Sequence, residues 1–297
     1  MPQPGARVRD YEVWGRLSEG GMSEIWLAKH AILGIPVILK TLRQTMSDEG
    51  ESRFTRMLNE ARMMARIDAP QVVRAIDAGV FEGIGYVVQE YVDGLDLAEL
   101  DDSRRRALGL GLPLWFVCHA MHEACRALQA SHRAGILHRD VKPSNLFGSF
   151  SGVQLGDFGI AIQSQEACLP GEISGTFRFM APEQLRGDAL DRASDVWGAA
   201  ATAFDLRYGR GPFDDIRGTL DPTVPPAFPR SQTASEAYFQ HVLSCMLAKD
   251  PAARPRDLGE LARHFGALSR AQQPGADRAA LSRLSKRRYR QIGRAHV

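Results

Sequence analysis

Residues 11–42 break into three short apolar segments, YEVWGRL, EIWLAKH and PVILKTL, punctuated by Gly and Pro. Segments of that length and composition read as strands, so the first part of the chain is confined to a small sheet. A long helical pattern, ESRFTRMLNEARMMARI, follows, and then another strand-like run, GYVVQEYV. After residue 112 helices dominate, interrupted by polar or Gly-marked stretches at 138–147 and 156–183. The architecture expected is α+β: a small sheet-rich lobe, then a larger, mainly helical lobe, with a cleft between them. With 297 residues, 44% hydrophobic and 24% charged, the chain is long enough to build both lobes and is not disordered throughout.

Charge and cysteine usage narrow the partners. From Arg270 onward eight Lys/Arg stand against the single acid Asp277, which leaves 29 basic and 34 acidic residues before it. That body is mildly acidic, so no nucleic-acid partner is expected. Cys118, Cys125, Cys168 and Cys245 have no CxxC or Cys/His metal spacing, and no signal-peptide pattern precedes them; reduced thiols in a cytoplasmic setting are expected. Cys118 and Cys125 lie seven apart in the helical stretch LWFVCHAMHEACRALQASHRAG, on one face, which favours core packing over redox chemistry. The run VWGAAATAF is too short to span a bilayer and reads as a buried helix.

The stretch HRDVKPSN, His138–Asn145, mixes a base, two cations, an acid and a carboxamide. Alone it reads as well as a solvated turn as it does a catalytic loop. Its neighbours decide. Twelve residues after Asn145 comes Asp157 in GDFGIA, then GTFRFMAPEQ; upstream lie LSEGGMSEIWLA, Lys40 in VILK and Glu60 in the first helix. In order, spacing and residue choice these six motifs resemble the eukaryotic-type (Hanks-type) serine/threonine protein kinases, in particular their bacterial branch, over residues 11–268.

The resemblance implies a bilobal kinase domain, with an N-lobe at 11–92 and a C-lobe at 93–268, preceded by an extension at 1–10. It implies ATP and Mg2+ as cofactors and protein Ser/Thr hydroxyls as substrates, because phosphoryl transfer demands positioning and charge cancellation. Asp140 would orient the attacking hydroxyl, Lys142 would place a cation near the γ-phosphate, as Ser/Thr-directed relatives do, and Asn145 and Asp157 would be the metal ligands. Lys40, otherwise an edge charge, would grip the α- and β-phosphates and be held by Glu60. Leu17, Ser18, Gly20, Gly21, Ser23 and Ile25 would cover the nucleotide, Ile38 would roof the adenine, and Glu90 and Val92 would form the hinge edge. Asp96 is either a ribose contact or a helix N-cap. In the same likeness Thr176 would bond near Asp140, Glu183 would pair with Arg254, and Asp195 would anchor loop backbone. Arg139 resembles the Arg that grips a phosphate on the activation segment, with Ser174 the candidate acceptor.

Two departures stand beside the match. The family's G-x-G-x-x-G reads Ser18, Gly20, Ser23 here, and Ile38 replaces the alanine of V-A-I-K, adding bulk over the base. They motivate the alternative of a pseudokinase or ATP-binding scaffold with little phosphotransfer; a small-molecule phosphotransferase is the third class. Residues 269–291 read as a basic linker or tail, and residues 292–297, IGRAHV, as a sequencing-adapter artefact beyond which the natural protein continues. Protein substrates, self-association for autophosphorylation, and a membrane only through a C-terminal region not present complete the expected partners.

Overall fold

The computed structural model describes residues 2–19, 23–42, 48–150, 152–158 and 177–272, with the backbone alone for 48–50. The apolar segments of the first lobe form one antiparallel sheet of β1 (Arg7–Val8), β2 (Tyr11–Glu19), β3 (Ser23–His30), β4 (Pro36–Leu42), β5 (Ala75–Phe81) and β6 (Ile84–Glu90), in the order β1-β2-β3-β4-β6-β5. Helix α1 (Asp48–Met64) joins β4 to β5. Strand alternation sorts the two faces. Val37 and Leu39 of β4 are buried with Val13, Trp26, Ala28, Tyr86 and Val88, whereas Ile38 and Lys40 are only partly covered and point the other way, toward the cleft. Val8 joins the same cluster at 4% exposure, pairing with Tyr11 across a tight turn in which Arg9 has φ 52°. The extension ahead of residue 11 therefore contributes an edge strand to the sheet.

The second lobe begins with β7 (Gly94–Asp96), α2 (Leu97–Leu108) and α3 (Leu114–Arg133), followed by β8 (Leu146–Ser149) and β9 (Gly152–Leu155). The three short strands make a separate sheet, ordered β7-β8-β9. Then come α4 (Pro182–Arg186), α5 (Arg192–Tyr208), α6 (Ile216–Leu220), α7 (Ala234–Met246) and α8 (Leu258–Gln272). α5 is buried from Ala193 to Phe204, as the VWGAAATAF run requires, and Trp197 and Phe204 are fully enclosed. Each such aromatic contributes roughly 1.5–3 kcal/mol through the area it removes from water. Cys118 and Cys125 lie buried inside α3, and burial pushes the Cys125 thiol up to about 12, so both are packing residues. Among the described residues no helix is long and apolar enough to cross a membrane.

Candidate active site

The HRDVKPSN loop leaves α3 and is fastened from below by α5. Asp195, buried in the first turn of α5, accepts hydrogen bonds from the backbone N–H groups of His138 (2.9 Å) and Arg139 (2.7 Å), and from His132 Nε2 (2.6 Å). These three donors satisfy a carboxylate that would otherwise be costly to bury. They also hold Arg139 in the left-handed region, φ 68°, where a residue with a Cβ is strained. One step on, Thr202 Oγ1 donates to the Val141 carbonyl at 3.1 Å, and α5 approaches closely enough that a Cβ at Gly198 would lie 3.1 Å from that of Val141. A side chain at 198 would crowd Val141, and glycine suits this close approach.

His138 ties this loop to the GDFG segment. Its Nδ1 accepts the N–H of Asp140 (3.3 Å), so Nε2 carries the proton and donates to the Gly156 carbonyl at 3.0 Å. Burial keeps the imidazole neutral, lowering its pKa against the pull of Asp195 and the Gly156 carbonyl. Gly156 N–H in turn donates to the Asn145 carbonyl at 2.9 Å. The two loops are one hydrogen-bonded unit.

On that unit the charged groups converge. Lys142 Nζ stands 2.7 Å from Asp140 Oδ2. Asn145 Nδ2 donates to the Asp140 carbonyl (2.7 Å) and to its Oδ2 (3.1 Å), and lies 3.5 Å from the Asp157 carbonyl. Asp157, at φ 55°, turns its carboxylate onto Lys40 Nζ of β4, forming an ion pair across the cleft. Burial disfavours the Lys40 cation, but Asp157 and Glu60 outweigh it and hold its pKa above the ordinary value. Glu60, on α1, is pushed up to about 7 by burial; Lys40 opposes the rise, and Asp157 and Asp140 add to it. Lys40, Glu60, Asp140, Lys142, Asn145 and Asp157 therefore share one electrostatic site, in which the contact Lys40 makes with Asp157 is the direct one.

Ser18, Ser23, Ile25 and Ile38 lie on the Lys40 side of the sheet. Ile25 faces Lys40 in the β3–β4 ladder, and Ser18 faces Ile25 in the β2–β3 ladder, where a register shift falls between Arg16 and Ser18 at Leu17. Ser23 pairs with Leu42, and neither serine has a positive φ. Gly20 and Gly21 lie outside the described residues, as do Ser174 and Thr176. Glu90 closes β6, its carboxylate held by Gln154 Nε2 of β9 and, at 3.4 Å, by Arg74 Nε. Gln89 is buried against Met64 Sδ, and Val92 packs on the core of the helical lobe. Asp96 Oδ1 accepts the N–H of Glu99 at 2.9 Å, so the structure forms the N-cap of α2.

Glu183 and Arg254 form a bidentate pair, 2.6 and 2.9 Å, with the Arg254 side chain fully enclosed and Ser194 Oγ adding a bond to Glu183. Two further polar contacts had no sequence signal of their own, the Gln154–Glu90 tie and a bond from Gln184 Nε2 to the Arg139 carbonyl at 2.8 Å. Only the Pro-Glu-Gln start of α4, with Gln at the third helical position, hints that Gln184 reaches backward.

The family described as protein kinase domain matches residues 11–264. A serine/threonine-protein kinase of Corynebacterium efficiens, drp72, is 32% identical over 275 residues, covering 89% of this chain and 52% of the relative. PknA of Corynebacterium glutamicum is 31% identical over 281 residues, 91% of this chain and 59% of its own. The crystal structure of the Mycobacterium tuberculosis PknI kinase domain superposes with a TM-score of 0.68 at 29% identity, covering 90% of this chain and 100% of that one. The chain spans about half the length of the curated relatives it matches.

Proposed function

The chain belongs to the protein kinase domain family, and from that premise we propose that it is an ATP- and Mg2+-dependent kinase transferring the γ-phosphoryl group to Ser/Thr hydroxyls of proteins in bacterial signalling. The observation that carries this reading is the convergence on Asp140: a carboxylate held by Lys142 and Asn145, on a loop locked to Asp157, which itself reaches Lys40 across the cleft. Asp140 orients the incoming hydroxyl and takes up its proton as the oxygen attacks. Lys142, already beside that carboxylate, supplies positive charge against the negative charge of the transferred group. Lys40 fixes the phosphate chain, with Glu60 and Asp157 keeping it cationic.

The donor set fits Mg2+. Asn145 spends its carboxamide nitrogen on Asp140, so oxygen is the atom it offers, and Asp157 brings a carboxylate from a second loop. Two hard oxygen donors, with water and phosphate oxygens completing the shell, are what this ion takes. Bound there, it supplies neutralisation of the ATP phosphates. Ser18, Gly20, Gly21, Ser23, Ile25 and Ile38 cover the nucleotide, and Glu90 and Val92 edge it. The proposed setting is cytoplasmic, with protein substrates and, for autophosphorylation, a second copy as partners.

A radiolabelled ATP assay on the chain itself and on a generic basic protein tests this. Lys40→Met and Asp157→Asn are each expected to abolish transfer while retaining the folded far-ultraviolet spectrum. More than a few per cent of wild-type turnover in either would overturn the assignment.

A further inference from the structure

We infer that Gln184 is a positioning residue for the proposed transfer, acting through the peptide unit that joins Arg139 to Asp140. That unit is held at both ends. Its N–H, from Asp140, donates to His138 Nδ1 at 3.3 Å, and its carbonyl, from Arg139, accepts from Gln184 Nε2 at 2.8 Å. Because Arg139 sits at φ 68°, the plane of this peptide is not the one the chain would choose unaided. Asp195 fixes the peptide before it, through the Arg139 N–H, and Gln184 fixes the one after. The direction in which the Asp140 carboxylate leaves the backbone follows from that second plane.

The Gln184 amide is fully specified. Its Oε1 accepts the N–H of Ala181 at 2.9 Å, capping α4, and its Nε2 is thereby aimed at a carbonyl 45 positions earlier in the chain. A side chain with an acceptor at one end and a donor at the other is required, which among residues of this length means glutamine. The bond also spans two segments that must agree, since α4 continues the GTFRFMAPEQ segment and Arg139–Asp140 belongs to the HRDVKPSN loop. Gln184 thus makes the placement of Asp140 depend on the seating of Ala181–Gln184.

This inference rests on Asp140 orienting the hydroxyl, and the experiment separates the two. Gln184→Glu keeps an oxygen for the Ala181 N–H and puts a negative charge in the first turn of a helix, so it preserves the cap. What it loses is the donor, and it sets a carboxylate against the Arg139 carbonyl. Gln184→Met removes both contacts at similar volume. Kinetics and thermal denaturation would be measured for wild type, both variants and Asp140→Asn. The expectation is that Gln184→Glu melts cooperatively and keeps the wild-type Michaelis constant for ATP, while kcat falls about ten- to a hundredfold, as displacement of a reacting group by a fraction of its working geometry does. Gln184→Met should lose kcat to a comparable degree and lose some thermal stability as well. Wild-type kcat in Gln184→Glu, beside an inactive Asp140→Asn, would show Gln184 to be a helix cap only and overturn the inference. Failure of Gln184→Glu to give a cooperative melt would overturn it too, since a preserved cap requires a stable fold. Activity in Asp140→Asn would instead refute the reading of the site on which the inference depends.

Discussion

Glu60 carries a conflict visible at the scale of one side chain. Burial, with Asp157 and Asp140 nearby, pushes its carboxyl from an ordinary 4.5 up to about 7, although Lys40 pulls the other way. In the window between those values the folded protein holds a proton that the unfolded chain has released. This group's contribution to stability therefore falls as pH climbs through the window. The proposed catalytic role needs the charged form, so stability and activity are set against each other here. Glu60→Gln is expected to melt at a higher temperature than wild type above pH 7, the gap closing toward pH 5, and to lack the rise in kcat/KM for ATP expected of wild type as pH passes about 7. A melting gap independent of pH would show that Glu60 titrates normally.

At the scale of elements, two features of the lobes lead to separate tests. Ser18 and Ser23 both lie in ordinary strand backbone, so glycine's access to left-handed dihedrals is not what they forgo. Two hydroxymethyl side chains separate these positions from the glycine pattern, and removing them is expected to let the backbone approach phosphate more closely. Ser18→Gly with Ser23→Gly is expected to lower the Michaelis constant for ATP, at about 0.5–1 kcal/mol of stability per strand glycine; an unchanged constant would show the serines to be accommodated. Below the site, the Glu183–Arg254 pair joins α4 to the turn before α8. The Glu183 carboxyl is depressed, burial being outweighed by Arg254, a backbone bond and Ser194, so its stabilisation is present above the ordinary carboxylate value and disappears as pH falls through the lowered one. Arg254→Met leaves that carboxylate buried and unpaired and should cost about 3–5 kcal/mol in urea denaturation near neutral pH. Chain order made such pairs legible, since Lys40, Asp140, Asn145 and Asp157 each sit in a recognisable motif. β7, β8 and β9 were not, because strands of three or four residues are too short to show a period. The His138–Gly156 and Gln184–Arg139 bonds were hidden for a different reason. They join single residues 18 and 45 positions apart, which only the tertiary fold brings together.

Across the whole molecule, the lobes meet along more than the connection after Glu90. Val73 N–H donates to the Leu155 carbonyl at 2.9 Å and Leu155 N–H to the Gln71 carbonyl at 2.7 Å, while Met64, Ile67 and Val72 belong to the core of the helical lobe. Asp157 stands two residues beyond that seam, so its carboxylate is delivered to the cleft by a rigid strand end, and its partner Lys40 comes from the opposite lobe. The same carboxylate is proposed as an Mg2+ ligand. Ligand binding and interlobe pairing therefore draw on one group, and the stabilisation of the folded state by Mg2+ with ATP should depend on it. At a hundredfold excess over the dissociation constant, linkage gives about 2.7 kcal/mol, a rise in Tm of roughly 4 to 5 °C for a chain of this size. Chelation with EDTA should remove most of that rise in wild type. Asp157→Asn should begin from a lower ligand-free Tm, because it leaves the mostly buried Lys40 without its direct partner, and should show no Mg2+-dependent increment in differential scanning calorimetry. An increment of wild-type size in Asp157→Asn would mean that the metal is held elsewhere, and that the contact across the cleft is an ion pair of the fold alone.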